Sequence, residues 1–443
     1  MKKLFKQSLK IWDKPPLTLL VVATVVGASL IAAGIAVNQA DNSTQNQNNL
    51  AQTDKLIAKA RERLNNDNVN PERYADLCQL YLQKIRETAD TSLYAKCDQL
   101  LAKASKLSSN NPNVLAAQSA VAYAKHDFNK GLNLAKKASS INPDKVAYYG
   151  LVGDGQIELG QYNSATASYQ TMVDLKPELS AYNRVAYVRE LYGDIAGAKT
   201  ALSRAISSGS AFRENVAYSQ VELGKLYMRS DLNKAEETYA QALQTYSDYP
   251  PALEALGKVA FARQDYKNAV NYFQRAFTVV PLAQYAASLG DVYTAQNDKN
   301  KADSQYYLAS LAFDNSDSGG VNNDYERALY LSQRGLDSSK SLELARKSII
   351  DRPNIFSFDA LAWALYRAGK FKQAEANINH ALRLGEHEPV ILYHAGLIAE
   401  KLGRQQQARA YLKKAFSQDK YFLESHFTIL DRQEGLQALQ RLR

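Results

Sequence analysis

The chain has 443 residues, 46% hydrophobic and 22% charged, with only 21 Gly and 11 Pro. This composition suits two or three compact domains or one long repeat array, and it favours helix over a turn-rich β fold. Net charge is +9 but sits at the ends: Lys2, Lys3, Lys6, Lys10 and Lys14 against Asp13 at the start, and nine basic against five acidic residues in 400–443. A near-neutral middle without an arginine-rich stripe argues against nucleic-acid binding.

The first element is LTLLVVATVVGASLIAAGIAV, residues 17–37, which is 21 residues long and uncharged. As a helix it spans a hydrocarbon core of roughly 30 Å. Five lysines precede it, and NQADNSTQNQNNLAQT after it brings no base before Lys55. The positive-inside bias therefore predicts a cytoplasmic tail at 1–16 and places everything after Val37 outside the cytoplasm. The competing reading is a cleaved signal peptide, with Gly34 and Ala36 at the small peptidase positions. The run exceeds the usual apolar region of roughly 7–15 residues, which favours an uncleaved signal anchor. No Cys lies near its end, so a lipoprotein anchor is excluded. Ala28, Ala32 and Ala36 form a small-residue stripe through which two such helices could pack as a homo-oligomer. Residues 38–70 read as a tether and a short helix, with the Asn- and Gln-rich stretch to Thr53 flexible. Asn42-Ser43-Thr44 is a glycosylation sequon.

From there the chain repeats. Ala362 and Gly396 are 34 residues apart, as are Gly369 and Gly403, Ala374 and Ala408, Ala381 and Ala415, Ala104 and Ala138, Gly131 and Ala165, and Ala235 and Ala269. A fixed period of this length marks a stack of helix pairs, because one pair cannot bury its own apolar face. In LEALGKVAFARQDYKNAVNYFQRAFTVVP the small and large positions are Leu253, Leu256, Gly257 and Ala260, then Ala269, Phe273, Ala276 and Pro281. This stretch resembles the tetratricopeptide repeat, as do Gly153, Gly160, Ala165, Tyr169 and Pro177 in the unit at 146, and Leu289, Gly290, Tyr293, Ala302, Tyr306 and Ala309 in the unit at 283.

The resemblance covers about ten units, starting near 71, 112, 146, 179, 217, 250, 283, 322, 355 and 389. It implies an all-α fold, a right-handed superhelical solenoid of about ten helix pairs at 71–422; the apolar run adds one transmembrane helix before it, and the polar residues of 423–443 read as a capping helix after it. Asp314 to Asp324, DNSDSGGVNND, breaks the period and reads as a solvent-exposed connector, since it lacks the residue order of a calcium loop.

Cys78 and Cys97 fall on the small positions where paired helices come closest. Nineteen residues separate them, against 12 between Gly257 and Ala269. The extra seven residues are about two helical turns and, split across the hairpin, keep the two opposed around a turn near Glu87–Thr88. Two readings stay open: a disulfide locking this unit in an oxidising compartment, and a pair of buried thiols used as small fillers.

No catalytic, cofactor or metal constellation emerges. His126, His380, His387, His394 and His426 lack metal-ligand spacing, and Gly153-Asp154-Gly155 is not a phosphate loop. What remains is a surface. The resemblance implies that first helices line a groove for protein or peptide ligands, with Tyr218, Lys225 and Arg229, then Glu254, Lys258 and Phe261, then Trp363, Tyr366 and Arg367 at groove-facing places. Val221, Met228, Phe356 and Asp359 share them. The last three partner candidates form an aromatic–Arg cluster of the kind that makes binding hot spots, and Trp363 has packing against the next unit as its alternative.

The expectation is a non-enzymatic, membrane-anchored scaffold that binds partner proteins, in cell-envelope or secretion assembly. The alternatives are an organelle import receptor with cytosolic repeats, a glycan- or lipid-binding solenoid, and an accessory subunit of an enzyme. The carboxylate-clamp places carry Glu254 with Lys258, Ala287 with Asp291, and Asp359 with Trp363, which counts against chaperone-tail binding.

Overall fold

The computed structural model describes residues 42–425 and 429–441. The described residues hold 23 α-helices, one short 3-10 turn and no strand. A leading helix, Asn42–Asn66, is followed by ten antiparallel pairs. Pairs 1 to 5 are Pro71–Thr88 with Ser92–Leu107, Pro112–Ala124 with Phe128–Ile141, Val146–Glu158 with Tyr162–Leu175, Leu179–Leu191 with Ile195–Ser208, and Arg213–Met228 with Leu232–Thr245. Pairs 6 to 10 are Pro250–Ala262 with Tyr266–Val279, Ala283–Ala295 with Lys299–Ser318, Asp324–Gln333 with Ser338–Asp351, Ile355–Arg367 with Phe371–Ala381, and Pro389–Lys401 with Gln405–Gln418. Phe422–Ser425 and Ile429–Arg441 close the chain. Pair 5 starts four residues ahead of the predicted register, and pair 8 two residues behind it.

Local chemistry explains the hairpins. A left-handed residue ends several first helices: His126, Gly193, Gln264 and Asn297 have φ of 61°, 78°, 62° and 60°. An aspartate follows each, and Asp127, Asp194, Asp265 and Asp298 accept a backbone N–H of the first turn of the second helix. Such a cap satisfies a donor that the helix leaves unpaired. Pro71, Pro112, Pro250 and Pro389 open first helices, where a missing N–H costs least. Inside the pairs a glycine faces a ring: Gly153 lies under Tyr169, Gly224 under Tyr239, Gly257 under Phe273 and Gly290 under Tyr306.

The coil closes on itself. The turn inside one pair meets the junction between two pairs one coil further on. Ala89 of pair 1 is buried with Leu253, Val280, Leu282 and Tyr285 of pairs 6 and 7. At the pair 2 turn, Asn322 N–H donates to the Lys125 carbonyl at 3.2 Å, and His126 Nδ1 lies 2.6 Å from the Asn322 carbonyl. At the pair 3 turn, Glu158 accepts from Arg352 and Asn354, and Ile355 N–H donates to the Tyr162 hydroxyl at 2.8 Å. At pair 5, Lys420 N–H donates to the Arg229 carbonyl at 2.7 Å.

Two expectations are corrected. Asp314–Ser318 is helical, and the rest of the connector is not a solvated loop: Val321 and Asn323 are buried and Asn322 docks on pair 2. The cause is the coil itself, which brings pair 2 beneath this junction. Asn42–Thr53 belongs to a continuous helix, not a flexible tether. Ile57 and Ala60 pack on pair 1, and Thr53 Oγ1 donates to Glu87 at 2.8 Å. Once that contact nucleates the helix, each added residue extends it at little cost. The predicted span at 17–37, with its alanine stripe, lies outside the described residues. Among the described residues no helix is long and apolar enough to cross a membrane.

Candidate functional site

Successive first helices touch one another more extensively than successive second helices do, so first helices line the inside of the coil. Nine partner-binding candidates are expected to face it, and the structure separates them.

Lys225 and Lys258, with the mostly covered Glu254, form a polar strip across pairs 5 to 7. Lys225 Nζ lies 2.7 Å from Glu222, Lys258 Nζ lies 2.7 Å from Glu254, and Gln284 donates to Glu254 at 2.9 Å. The side chains of Lys225 and Lys258 stay 57% and 43% exposed. Burial pulls the Lys225 ammonium down, but Glu222, Glu254 and Glu190 outweigh it and hold its pKa above the usual lysine value. Tyr218 is half-buried on the same helix, and Glu222 followed by burial pushes its phenol up.

The other residues are absorbed by packing. Phe261 is buried and tilts against Tyr266 with ring centroids 5.7 Å apart. Trp363 is 0% exposed, stacked on Tyr366 at 4.8 Å and on His394 of pair 10 at 4.1 Å, with the Arg367 guanidinium 4.4 Å over its ring. His394 Nδ1 lies 2.8 Å from Asp359. Trp363 therefore packs against the next unit, its ring covered by His394 of pair 10 together with Tyr366 and Arg367 of its own helix. Tyr366 and Arg367 turn to Glu434 of the last helix.

Arg229 belongs to a latch between coils. Its guanidinium pairs with Glu190 and lies 3.7 Å from Glu388. Asp419 also faces it. Three carboxyls thus share one cation. Burial pushes Glu388 up to about 7 and Asp419 up to about 6, and it raises Glu190 as well. Facing charges are Arg229, Glu190 and Asp359 for Glu388, and Arg229 and Glu424 for Asp419. Because the fold raises these pKa values, it holds protons that the unfolded chain gives up. That stabilisation is complete below the ordinary values of 4.5 and 3.8 and is lost as pH rises through about 6 and 7. The melting temperature is accordingly expected to fall between pH 5 and pH 8, and Glu388→Gln should flatten the slope. A parent chain that melts higher at pH 8 than at pH 5 would contradict this.

Cys78 and Cys97 are fully buried, unbonded thiols facing each other across pair 1 around a turn at 89–91. Cys97 Sγ lies 3.5 Å from the Cys78 carbonyl oxygen, and burial pushes the Cys78 thiol well up.

Two polar triads escaped the sequence reading. Arg184 grips Asp154 with two bonds of 2.8 and 2.6 Å, and the Tyr169 hydroxyl donates to Asp154 at 2.9 Å. Arg334, Asp291 and Tyr306 repeat this arrangement at 3.1, 2.6 and 2.9 Å. The available signal was an Asp immediately after a first-helix glycine, with a Tyr fifteen residues on.

The family model of the tetratricopeptide repeat matches residues 222–278, 254–318 and 360–420, and the chain carries such repeats. No curated protein sequence matches it significantly. Among solved structures, a tetratricopeptide repeat protein from Parabacteroides merdae aligns at 18% identity over 59% of this chain and 98% of its own, with a TM-score of 0.34. BtubC from P. vanneervenii aligns at 18% over 46% and 92%, with a TM-score of 0.35. The MamA protein aligns at 22% over 38% and 91%, with a TM-score of 0.29.

Proposed function

We propose that the chain is a non-catalytic scaffold that takes partner proteins or peptides on the inside of its coil. The observation that supports this reading is the strip of half-exposed charges at Lys225 and Lys258, beside Glu222 and Glu254, on neighbouring first helices. Alternating charges spaced one repeat apart suit an extended or helical ligand of matching polarity. Proximity labelling from the chain tests it. Lys225→Glu with Lys258→Glu should remove a specific subset of labelled proteins, and an unchanged set would defeat the assignment of the strip.

The proposal includes tethering by residues 17–37, with the array on the extracytoplasmic side. The charge bias around the apolar run supports that topology. A reporter fused after Arg443 checks it, and a cytoplasmic C-terminus would sink it. Such a compartment permits a Cys78–Cys97 disulfide in place of the two thiols. Mass spectrometry of the unreduced protein distinguishes the bridge from two thiols.

A further inference from the structure

We infer that the inner surface formed by Tyr366, Arg367, Tyr393 and Glu400 recognises a helix of defined chemistry, and that the chain's own last helix occupies it. This deepens the scaffold reading and rests on it for the existence of an outside partner. Helix Ile429–Arg441 does not simply cover the end of pair 10. It contacts the first helices of pairs 7 and 10, and it reaches pair 9 through Glu434, which accepts from the Tyr366 hydroxyl and from Arg367 at 2.9 Å.

The contacts define what the site reads. A phenol and a guanidinium converge on one carboxylate, a charge-assisted arrangement stronger than neutral hydrogen bonds. The next residue is Gly435, where a Cβ would lie 2.7 Å from the Tyr393 hydroxyl and 2.8 Å from Leu423. A side chain there would have to displace the Tyr393 and Leu423 side chains. Ala438, one turn on, is 0% exposed. Arg441, two turns on, makes bonds of 2.6 and 3.0 Å to both oxygens of Glu400. The four residues recur on one helical face. The preferred ligand is therefore a helix with an acid, a glycine directly after it, a small residue four places after the acid and a guanidinium seven places after it.

The resident helix keeps one side in solvent. Leu436 stays 43% exposed and Arg441 48% exposed. A partner helix with the same four features can therefore exchange with it, which makes the segment a self-ligand guarding the site.

A fluorescent peptide of residues 429–443 tests this on the full chain. Glu434→Ala in the protein should release the resident helix, seen as faster amide exchange in 429–441 alone. The peptide should then bind at least about tenfold more tightly to this variant than to the parent, a difference of about 1.4 kcal/mol. Adding Arg367→Ala to the protein, or Glu434→Gln in the peptide, should abolish binding. No binding to the Glu434→Ala protein, or equal binding by the Glu434→Gln peptide, overturns the inference. Because the probe is the chain's own sequence, that failure is separable from a failure to find outside partners by proximity labelling.

Discussion

Asp154→Ala is expected to cost the array about 3–5 kcal/mol, the range for breaking a buried ion pair by removing one partner. The Asp154 and Arg184 side chains are only 13% and 9% exposed, and they join the first helices of pairs 3 and 4. The Asp154 charge raises the Arg184 pKa against the opposing effect of burial. Removing the carboxylate leaves that cation poorly compensated in a low-dielectric site. The Tyr169 hydroxyl loses its acceptor as well. Replacing both charges, by Asp154→Leu with Arg184→Met, should return most of the loss, since well-packed apolar residues match or exceed buried pairs. Urea melts of Asp154→Leu, Arg184→Met and the double variant measure the cycle, with Asp154→Ala beside them. A loss below about 1 kcal/mol for Asp154→Ala would mean that the pair behaves as a surface salt bridge.

Gly257→Ala is the second large effect, and its sign depends on the partner. An added Cβ would lie 2.7 Å from Phe273 Cε1 and 2.8 Å from Cδ1. The ring is 2% exposed, walled in by Ala260, Ala269 and Leu289, and has nowhere to move. Overpacking of this kind costs about 1–3 kcal/mol, less about 1 kcal/mol from replacing a helical glycine. The expected net loss is about 1 kcal/mol. In a Phe273→Ala background the clash is gone, so the same substitution should be neutral or stabilise by up to about 1 kcal/mol. Equal effects in both backgrounds would show that the glycine is not there for the ring.

These glycines explain why the repeat was legible. Where two helices approach closest only a small residue fits, so Gly224, Gly257, Ala269 and Ala276 had to recur in register. The candidate site was read only in part. Lys225 and Lys258 do stay open, with Glu254 mostly covered beside them. Trp363 occupies an equivalent first-helix position but is sealed by His394 and Tyr366, and the period of one unit says nothing about how the next unit leans on it. Arg229 was lost to the groove for a related reason. Its partners Glu388 and Asp419 lie far along the sequence, and their meeting depends on the pitch of the coil, which no 34-residue pattern specifies. The final helix read as polar because its Gln, Arg and Glu residues dominate. The inward use of Glu434 and Arg441 depends on donors and acceptors supplied by two other helices.

Contacts between coils also change how the molecule comes apart. A repeat array that touches only its neighbours can fray one unit at a time. Here Tyr162 and Glu158 hold residues 193 to 196 positions away. Loss of the last three pairs would strip protection from the turns of pairs 2 and 3, in the opposite half of the sequence. Unfolding should therefore proceed in blocks about one coil long rather than pair by pair. Closing contacts of such long sequence separation also makes assembly slow for an all-helical protein, with the first five pairs waiting as an open arc until the others arrive.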